Sequence, residues 1–245
     1  KLTPIYSNQL ILTIHHKKFS MNLVSTIYHN KLFEAVFPTH VYVLKEELKD
    51  CTSVLDLGCG PDSPLQYCMN IKHSVGVEAF LPYFEATQKR GIHSEYLNNK
   101  ISDLDFDENS FDAVILMEVL EHMDESEGLE TLRKLEKWAS KKVIISTPNG
   151  FFPQKVVDNN PLQVHLSGWD IPKMKSLGFN KFKGLAGLKY LRAEIDHDTM
   201  GDDLFISMKY RPKFMWFIIA TLSQILTYRL PSLAFGLFCV KTKNN

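Results

Sequence analysis

The middle of the chain alternates short apolar runs with amphipathic stretches. The apolar runs predict buried parallel strands at 54–57, 73–78, 93–97, 111–118 and 142–146. Apolar residues at helical spacing predict helices at 64–70, 81–90 and 127–140, the second of which is ended by Gly91. Strands that alternate with helices over roughly 100 residues indicate an α/β fold with a mostly parallel sheet and right-handed crossovers.

The pattern is less regular after the fifth strand. It predicts a helix, a sixth strand, a strongly apolar helix and a last strand, at 172–177, 181–191, 212–228 and 232–242. The apolar helix is shorter than the ~20 residues that span a membrane, so we interpret it as a buried core helix. Contact of this helix with a membrane or a lipid-like acceptor is the less favoured alternative.

The N-terminal part is predicted to be a helical extension or lid, residues 1–43, ahead of a main domain, residues 44–245. Helical spacing predicts two helices within 22–49, separated by Pro38. The segment 1–20 lacks the apolar region and cleavage site of a signal peptide. Met21 is a candidate natural start, which would make that segment adventitious.

The composition narrows the possible partners and the compartment. Lys+Arg and Asp+Glu both total 28 among 245 residues, so the formal net charge is zero and a nucleic-acid partner receives no support. The four cysteines show no Cys-x-x-Cys pair and no zinc-like spacing. Free thiols in a reducing compartment are therefore expected, and we predict a cytoplasmic protein. The cysteines are Cys51, Cys59, Cys68 and Cys239.

The clearest candidate site is the turn that follows the first strand. Asp56 lies near the end of this strand, and Gly58 and Gly60 follow it. Two glycines one residue apart permit a sharp turn and let a ligand lie against bare backbone. A nucleotide-cofactor loop is the sharper interpretation, and a tight strand-to-helix turn with Asp56 as a cap is the simpler one.

Acidic residues follow the next two predicted strands. Glu78 ends the second strand 22 residues after Asp56, which suits it to bind both hydroxyls of an adenosine ribose. Asp103 follows the third strand and could accept a hydrogen bond from an adenine amine; alone, it would be interpreted as a turn aspartate. The same features also suit an NAD-dependent dehydrogenase, although that fold expects Gly or Ala where this chain has Ser63.

Several motifs in order carry a family resemblance. They are Val-Leu-Asp-Leu-Gly-Cys-Gly at 54–60, Gly-Val-Glu at 76–78, Ser-Asp-Leu at 102–104, Phe-Asp-Ala-Val at 111–114, Glu-Val-Leu-Glu-His at 118–122 and Ser-Thr-Pro-Asn-Gly at 146–150. Together they resemble the class I S-adenosylmethionine-dependent methyltransferases. The resemblance implies a Rossmann-like, doubly wound sheet of seven strands, mostly parallel, with an antiparallel last strand inserted between the fifth and sixth.

The resemblance also implies cofactor-binding roles. Asp56, Gly58 and Gly60 would line the methionine moiety, Glu78 would hold the ribose, and Met117 would offer its carbonyl to the amino group. Asp103 and the Leu104 amide would bind the adenine. One departure concerns the path of the loop, because many members have a third glycine where this chain has Asp62.

Two histidines are candidate catalytic bases. A methyl donor that is already electrophilic needs mainly an acceptor held in line, with a base where the acceptor must lose a proton. His122 and His165 are the candidates, and a structural or capping role is the alternative for both. Glu118, Glu121 and His122 also resemble the metal-binding trio of quinone-biosynthetic O-methyltransferases. We favour cofactor positioning and capping, and therefore predict no metal.

The resulting hypothesis is S-adenosylmethionine-dependent transfer of a methyl group to a small-molecule acceptor, with O-methylation favoured. The alternatives are an NAD-dependent dehydrogenase and a non-catalytic domain that keeps the fold for partner binding. Neither alternative accounts for the ordered motifs as well. His197, in an acidic loop, is interpreted as a solvated surface residue.

Overall fold

A computed structural model describes residues 36–156, 158–193 and 207–243. Several sequence predictions lie outside these residues. They are the first of the two N-terminal helices, the segment 1–20 and the acidic loop with His197.

Seven strands form one sheet in the part of the chain that the structure describes, in the order β3-β2-β1-β4-β5-β7-β6. Their bounds are β1 Ser53–Leu57, β2 His73–Val77, β3 Glu95–Leu97, β4 Phe111–Met117, β5 Ala139–Pro148, β6 Lys181–Leu188 and β7 Ala234–Thr242. The first five strands pair in parallel, and β7 is antiparallel to both β5 and β6. The predicted fold class, including the inserted antiparallel last strand, is confirmed.

Five α-helices accompany the sheet within the described residues: α1 His40–Glu47, α2 Leu81–Arg90, α3 Glu125–Trp138, α4 Ile171–Ser176 and α5 Lys213–Thr227. Local chemistry sets several of their ends. The Thr39 side chain accepts from the amide of Tyr42 at the start of α1, and Asp124 does the same for Glu127 in α3. Gly91 ends α2 in the left-handed conformation, as the sequence predicts.

The sheet has an apolar layer on each face, which is the doubly wound arrangement. On one face, strand residues such as Leu55 and Leu116 pack with Leu135 and Trp138 of α3. On the other face, alternate strand residues join a cluster that includes Leu44 of α1. The paired strands β1, β2 and β4 end together, so the loops that follow them meet at one edge.

Helix α5 forms close to its predicted position, but the prediction that it is a buried core helix was wrong. Its fully buried positions are Ala220, Gln224 and Thr227, whereas most of its large apolar side chains are exposed. The exposed ones are Phe214, Met215, Ile218, Ile219, Leu222, Ile225 and Leu226. The apolar content of the stretch did not reveal that its small and polar residues face the sheet. In the described part of the chain, each helix is too short or too polar to span a bilayer.

Candidate active site

A cavity of about 640 Å³ lies at the edge where β1, β2 and β4 end. It is lined by the residues that follow these strands and by a loop from later in the chain. These include Asp56, Gly58, Gly60, Glu78, Met117, Glu118, His122 and residues 160–163. The topology thus brings to one place most of the residues that the sequence singled out.

The glycine turn needs its glycines for two different reasons. Gly58 has φ +65°, and a Cβ added there would lie 2.6 Å from Val119 Cγ2. Gly60 has φ +59°, but an added Cβ would have no atom of the described chain within 4 Å. Gly58 therefore permits close packing, whereas Gly60 leaves bare backbone beside the cavity, where a cofactor can lie against it.

Glu78 fixes the turn from the end of β2. Its Oε2 accepts from the amide of Gly60 at 3.0 Å, and its Oε1 accepts from the amide of Phe80 at 2.8 Å. Burial raises the pKa of this carboxyl, and the amide hydrogen bonds oppose that rise. Each oxygen retains a second lone pair, so the carboxyl can also accept hydrogen bonds from a ribose.

Asp56 is buried under the turn. Its Oδ2 accepts a 2.5 Å hydrogen bond from Ser63 Oγ and lies 3.5 Å from Nε2 of the buried His93. Burial raises the pKa of Asp56 to about 7, and the nearby Glu78 charge adds to the rise. Ser63 therefore holds Asp56 in place, although the sequence marked Ser63 only as a departure from a dinucleotide fold.

Two predicted adenine-binding residues are not at the cavity. Asp103 is exposed and accepts from Ser102 Oγ, while Leu104 is buried and its amide donates to Ile101 O in a 3₁₀ turn. That amide is therefore already used, and the geometry does not bring the pair into the site. The residues that line the cavity on this side are instead Asn99, Lys100 and Ile101.

Glu118 follows β4 in a strained backbone conformation. Its φ of +55° is unusual for a residue with a side chain, and such strain is concentrated at functional sites. Its Oε1 accepts from Ser146 Oγ at 2.7 Å and lies 3.5 Å from His40 Nε2. The Glu118 side chain is about half exposed, and although partial desolvation raises its pKa, hydrogen bonding and charge from His40 together with Ser146 lower the pKa overall.

Glu121 differs from Glu118 because it is almost fully buried, with 2% of its surface exposed. Its Oε2 has no hydrogen-bond partner among the described residues. Burial raises the pKa of Glu121 well above its ordinary value, and the neighbouring Glu118 charge raises it further. The structure thus shifts the pKa values of these two neighbouring acids in opposite directions.

His122 lines the cavity, and contacts with Val164 and His165 hold its ring. Its Nδ1 lies 3.2 Å from Val164 O, and its ring meets that of His165 at 4.8 Å between centroids. His165 Nδ1 lies 2.5 Å from Phe152 O, and His165 is not among the residues that line the cavity. A carbonyl at each Nδ1 requires the proton there, which leaves each Nε2 as an acceptor.

Burial lowers the pKa of both histidines. Each imidazole is therefore neutral near pH 7, which is the form that a base requires. The two predicted candidates are in contact, but His122 alone lines the cavity.

Glu121, His122 and His165 also place one possible ligand atom each within 4.8 Å of one another. A carboxylate and two imidazoles are suitable ligands for a divalent transition metal. This set differs from the trio suggested by the sequence, because His165 replaces Glu118, which is bonded to Ser146. The raised pKa of Glu121 disfavours a metal, and the absence of a metal from the functional protein stays a prediction.

The sequence analysis missed several residues at the cavity. His40 precedes the motifs by many residues, and Tyr83 and the loop 160–163 carry no recognised pattern. Tyr83 donates to Asp158 at 2.7 Å, which connects α2 to the segment just before the loop 160–163. Ser146 lines the cavity and belonged to a quoted motif, but the sequence analysis gave it no role.

Comparisons with known proteins agree with this geometry. Residues 55–142 match a family model described as a methyltransferase domain, and that match includes the glycine turn, Glu78 and the Glu118–His122 stretch. No curated protein matches the chain significantly.

Three solved structures share the fold at low sequence identity. The methyltransferase domain of bacterial CtHen1 is 17% identical, with a TM-score of 0.51 over 83% of this chain and 97% of that chain. A putative methyltransferase of Haloferax volcanii, in complex with the Trm112 activator, is 14% identical, with a TM-score of 0.50 over 90% and 95%. The plantazolicin methyltransferase BpumL, in complex with S-adenosylhomocysteine, is 13% identical, with a TM-score of 0.50 over 92% and 90%.

The domain match and the sheet order exclude the dehydrogenase interpretation, since the matched region contains the motifs that a dinucleotide fold leaves unexplained. The bare backbone at Gly60 and the fixed carboxyl of Glu78 fit the nucleoside cofactor of this fold. Residues 55–142 therefore form a methyltransferase domain on a sheet like that of class I, and the chain is an S-adenosylmethionine-dependent methyltransferase with S-adenosylmethionine as its cofactor.

Proposed function

We propose that this enzyme transfers the methyl group to a hydroxyl oxygen of a small-molecule acceptor by in-line displacement. The observation that carries the proposal is the state of His122 at the cavity wall. When bound, S-adenosylmethionine supplies an electrophilic sulfonium methyl group. The chain has then to hold the acceptor in line and take its proton.

His122 suits that proton transfer. Its Nδ1 proton is donated to Val164 O, so the Nε2 lone pair is available, and burial keeps the ring neutral. A neutral imidazole can accept the proton of a hydroxyl as the oxygen attacks. His165 acts as a positioning residue, because it packs on the His122 ring and is itself fixed by Phe152 O.

The dimensions and charge of the site support a small acceptor. A volume of about 640 Å³ falls in the ~300–1,000 Å³ range of small-molecule sites. A zero formal net charge gives no electrostatic footprint for nucleic acid. The four cysteines are buried free thiols, which supports the prediction of a reducing, cytoplasmic environment.

The proposed cofactor contacts follow the cavity from one strand end to the next. Asp56, Gly58 and Gly60 line the methionine moiety, Glu78 holds the ribose, and Met117 offers its carbonyl to the amino group. The adenine lies beside 99–101 rather than against Asp103 and the Leu104 amide, because those two do not face the cavity.

A panel of phenols, alcohols, amines and thiols, each with release of S-adenosylhomocysteine as the readout, tests the proposal. We expect turnover with a hydroxyl compound, and His122→Asn should lower kcat by about 10²–10⁴-fold. Affinity for S-adenosylhomocysteine should be retained, which separates a lost base from a lost cofactor site. Turnover of amines alone, or full activity of the variant, would contradict O-methylation through His122.

A further inference from the structure

The outer face of α5 is an apolar stripe on the surface of the molecule. Its exposed residues recur three or four positions apart, as in Ile218, Leu222 and Ile225, whereas the buried positions are Ala220, Gln224 and Thr227. Leu222 is 55% exposed, and Leu230, just beyond the helix, is 47% exposed. We call this stripe the α5 face; its members are Phe214, Met215, Ile218, Ile219, Leu222, Ile225, Leu226 and Leu230.

The inner face explains why the helix keeps this orientation. Gln224 donates to Gly184 O at 3.0 Å and accepts from the Gly187 amide at 2.9 Å. Ser223 Oγ accepts from the Leu188 amide at 3.0 Å. These bonds satisfy backbone groups at the irregular end of β6, so the polar side of α5 is bound to the sheet and the apolar side faces outward.

The charged residues that α5 and its flanking segments contribute are all basic. After Asp203 the sequence contains no Asp or Glu, but it contains Lys209, Arg211, Lys213 and Arg229 next to the helix. The first two and Arg229 are exposed. The carboxylates close to the C-terminal end of α5 belong to Glu46 and Glu47 beside Tyr228, and they are paired with Lys49 and Lys181.

Aromatic side chains occur at the border of the stripe. Tyr210 is 42% exposed and its ring lies 5.1 Å from that of Trp216, while Lys209 lies over Tyr210. Aromatic and basic residues around an apolar helical face are typical of helices that lie in the headgroup region of a bilayer. Fifteen residues at about 1.5 Å each are too short to cross the bilayer but sufficient to lie along it.

We propose that the α5 face docks on an anionic lipid surface, with the apolar stripe in the headgroup region and the flanking lysines and arginines on acidic headgroups. The apolar stripe supplies burial on binding, and the one-sided charge favours anionic over zwitterionic lipid. The inference does not depend on the identity of the methyl acceptor.

Flotation of the full chain with vesicles tests this proposal. We expect binding to vesicles of phosphatidylcholine mixed with phosphatidylserine, and about tenfold weaker binding to phosphatidylcholine alone or at high salt. Absence of binding to the mixed vesicles, or equal binding to both compositions, would overturn the proposal.

Matched variants assign the binding to the α5 face. Leu222→Glu with Ile225→Glu should reduce the bound fraction about tenfold, and Arg211→Ala with Arg229→Ala should reduce it mainly for anionic vesicles. Met69→Glu is the control, because Met69 is 92% exposed and lies outside the α5 face. This variant should bind the vesicles normally. Calorimetry with S-adenosylhomocysteine verifies that each variant is folded.

Light scattering tests whether a second copy of the chain, rather than lipid, covers the α5 face. A monomer without lipid is expected. A stable dimer that Leu222→Glu with Ile225→Glu dissociates would assign the face to a second copy of the chain and overturn the lipid proposal. Unchanged vesicle binding by both the acidic and the arginine variants would overturn it as well.

Discussion

Two carboxyl groups that follow β4 have pKa values shifted in opposite directions because their neighbours differ. Glu118 has the imidazole of His40 and the hydroxyl of Ser146 to stabilise its charge. Glu121 is enclosed, has an oxygen with no partner among the described residues, and lies near the charge of Glu118. Such divergence between two nearby acids is typical of catalytic sites.

Replacement of Glu121 by Gln tests whether the pKa of this carboxyl is raised in the folded protein. Because the folded pKa of Glu121 is raised, its contribution to stability is complete below the ordinary value of 4.5 and is lost as pH rises toward the folded value. The free energy of unfolding of Glu121→Gln, relative to the parent, should therefore increase by up to about 1.4 kcal/mol per pH unit above that point.

Urea denaturation across the range from mildly acidic to mildly alkaline pH measures this difference. The exposed Glu130→Gln, in α3, is the matched control. A stability difference that stays constant with pH would mean that the pKa of Glu121 is not raised in the folded protein, which would strengthen the case for a metal at the Glu121, His122 and His165 cluster.

Glu78 is the residue on which the cofactor assignment depends most. Glu78→Ala removes both the acceptor for a ribose and the bonds that hold the Gly60 and Phe80 amides. We expect affinity for S-adenosylhomocysteine to fall at least about tenfold, or about 1.4 kcal/mol, by calorimetry. Glu95→Ala, at an exposed position of β3, should leave it unchanged. Unaltered binding by Glu78→Ala would show that the ribose contact is misassigned.

At the scale of elements, a comparison of Gly58, in the turn after β1, with Gly91 separates the energetic cost of overpacking from the cost of backbone strain. Gly58 and Gly91 share φ +65°, but only at Gly58 would a Cβ meet Val119. Gly91→Ala should cost about 1–2 kcal/mol from the backbone alone. Gly58→Ala should cost about 1–3 kcal/mol more because of the overpacked contact. Denaturant unfolding measures both variants, and equal costs would contradict the contact.

Sequence predicts elements well where the signal is local. Gly91 ends α2 where expected, and the apolar runs place the strands of the parallel half to within a few residues. The sixth strand contains a bulge that was not predicted, because Ala186 and Gly187 have positive φ and interrupt the pairing with β7 between Leu185 and Leu188. The strand ends at Leu188, and a 3₁₀ turn replaces the predicted strand residues 189–191. The apolar pattern that predicted the strand does not mark the bulge.

The remaining features depend on contacts between segments that are distant in the sequence, and a local sequence pattern does not encode such contacts. His40 contacts Glu118 because α1 packs beside the strand ends, and no motif joins the two positions. Asp103 matches its motif but is exposed to solvent, whereas the preceding residues 99–101 line the cavity. The orientation of α5 depends on hydrogen bonds to the end of β6, which hydrophobicity alone cannot predict.

At the scale of the whole molecule, the cavity joins segments that are distant in the sequence. His40, the β1 turn, Glu78, the end of β4 and the loop 160–163 all contribute to its wall. A ligand that contacts all of these segments binds only the folded chain, because the unfolded chain does not assemble them. Binding should therefore stabilise the molecule as a unit rather than one loop.

Thermal unfolding with added ligand measures that coupling. At about 100 times its dissociation constant, S-adenosylhomocysteine should add about 2.7 kcal/mol to the free energy of unfolding. For a chain of this size that corresponds to a rise in Tm of roughly 5–10 °C. NAD at the same concentration should give no shift, and Glu78→Ala should reduce the shift with S-adenosylhomocysteine because its site is weakened. An equal shift with NAD would contradict selective recognition of the methyl donor, since it would mean that the glycine turn and Glu78 bind any adenosine nucleotide alike.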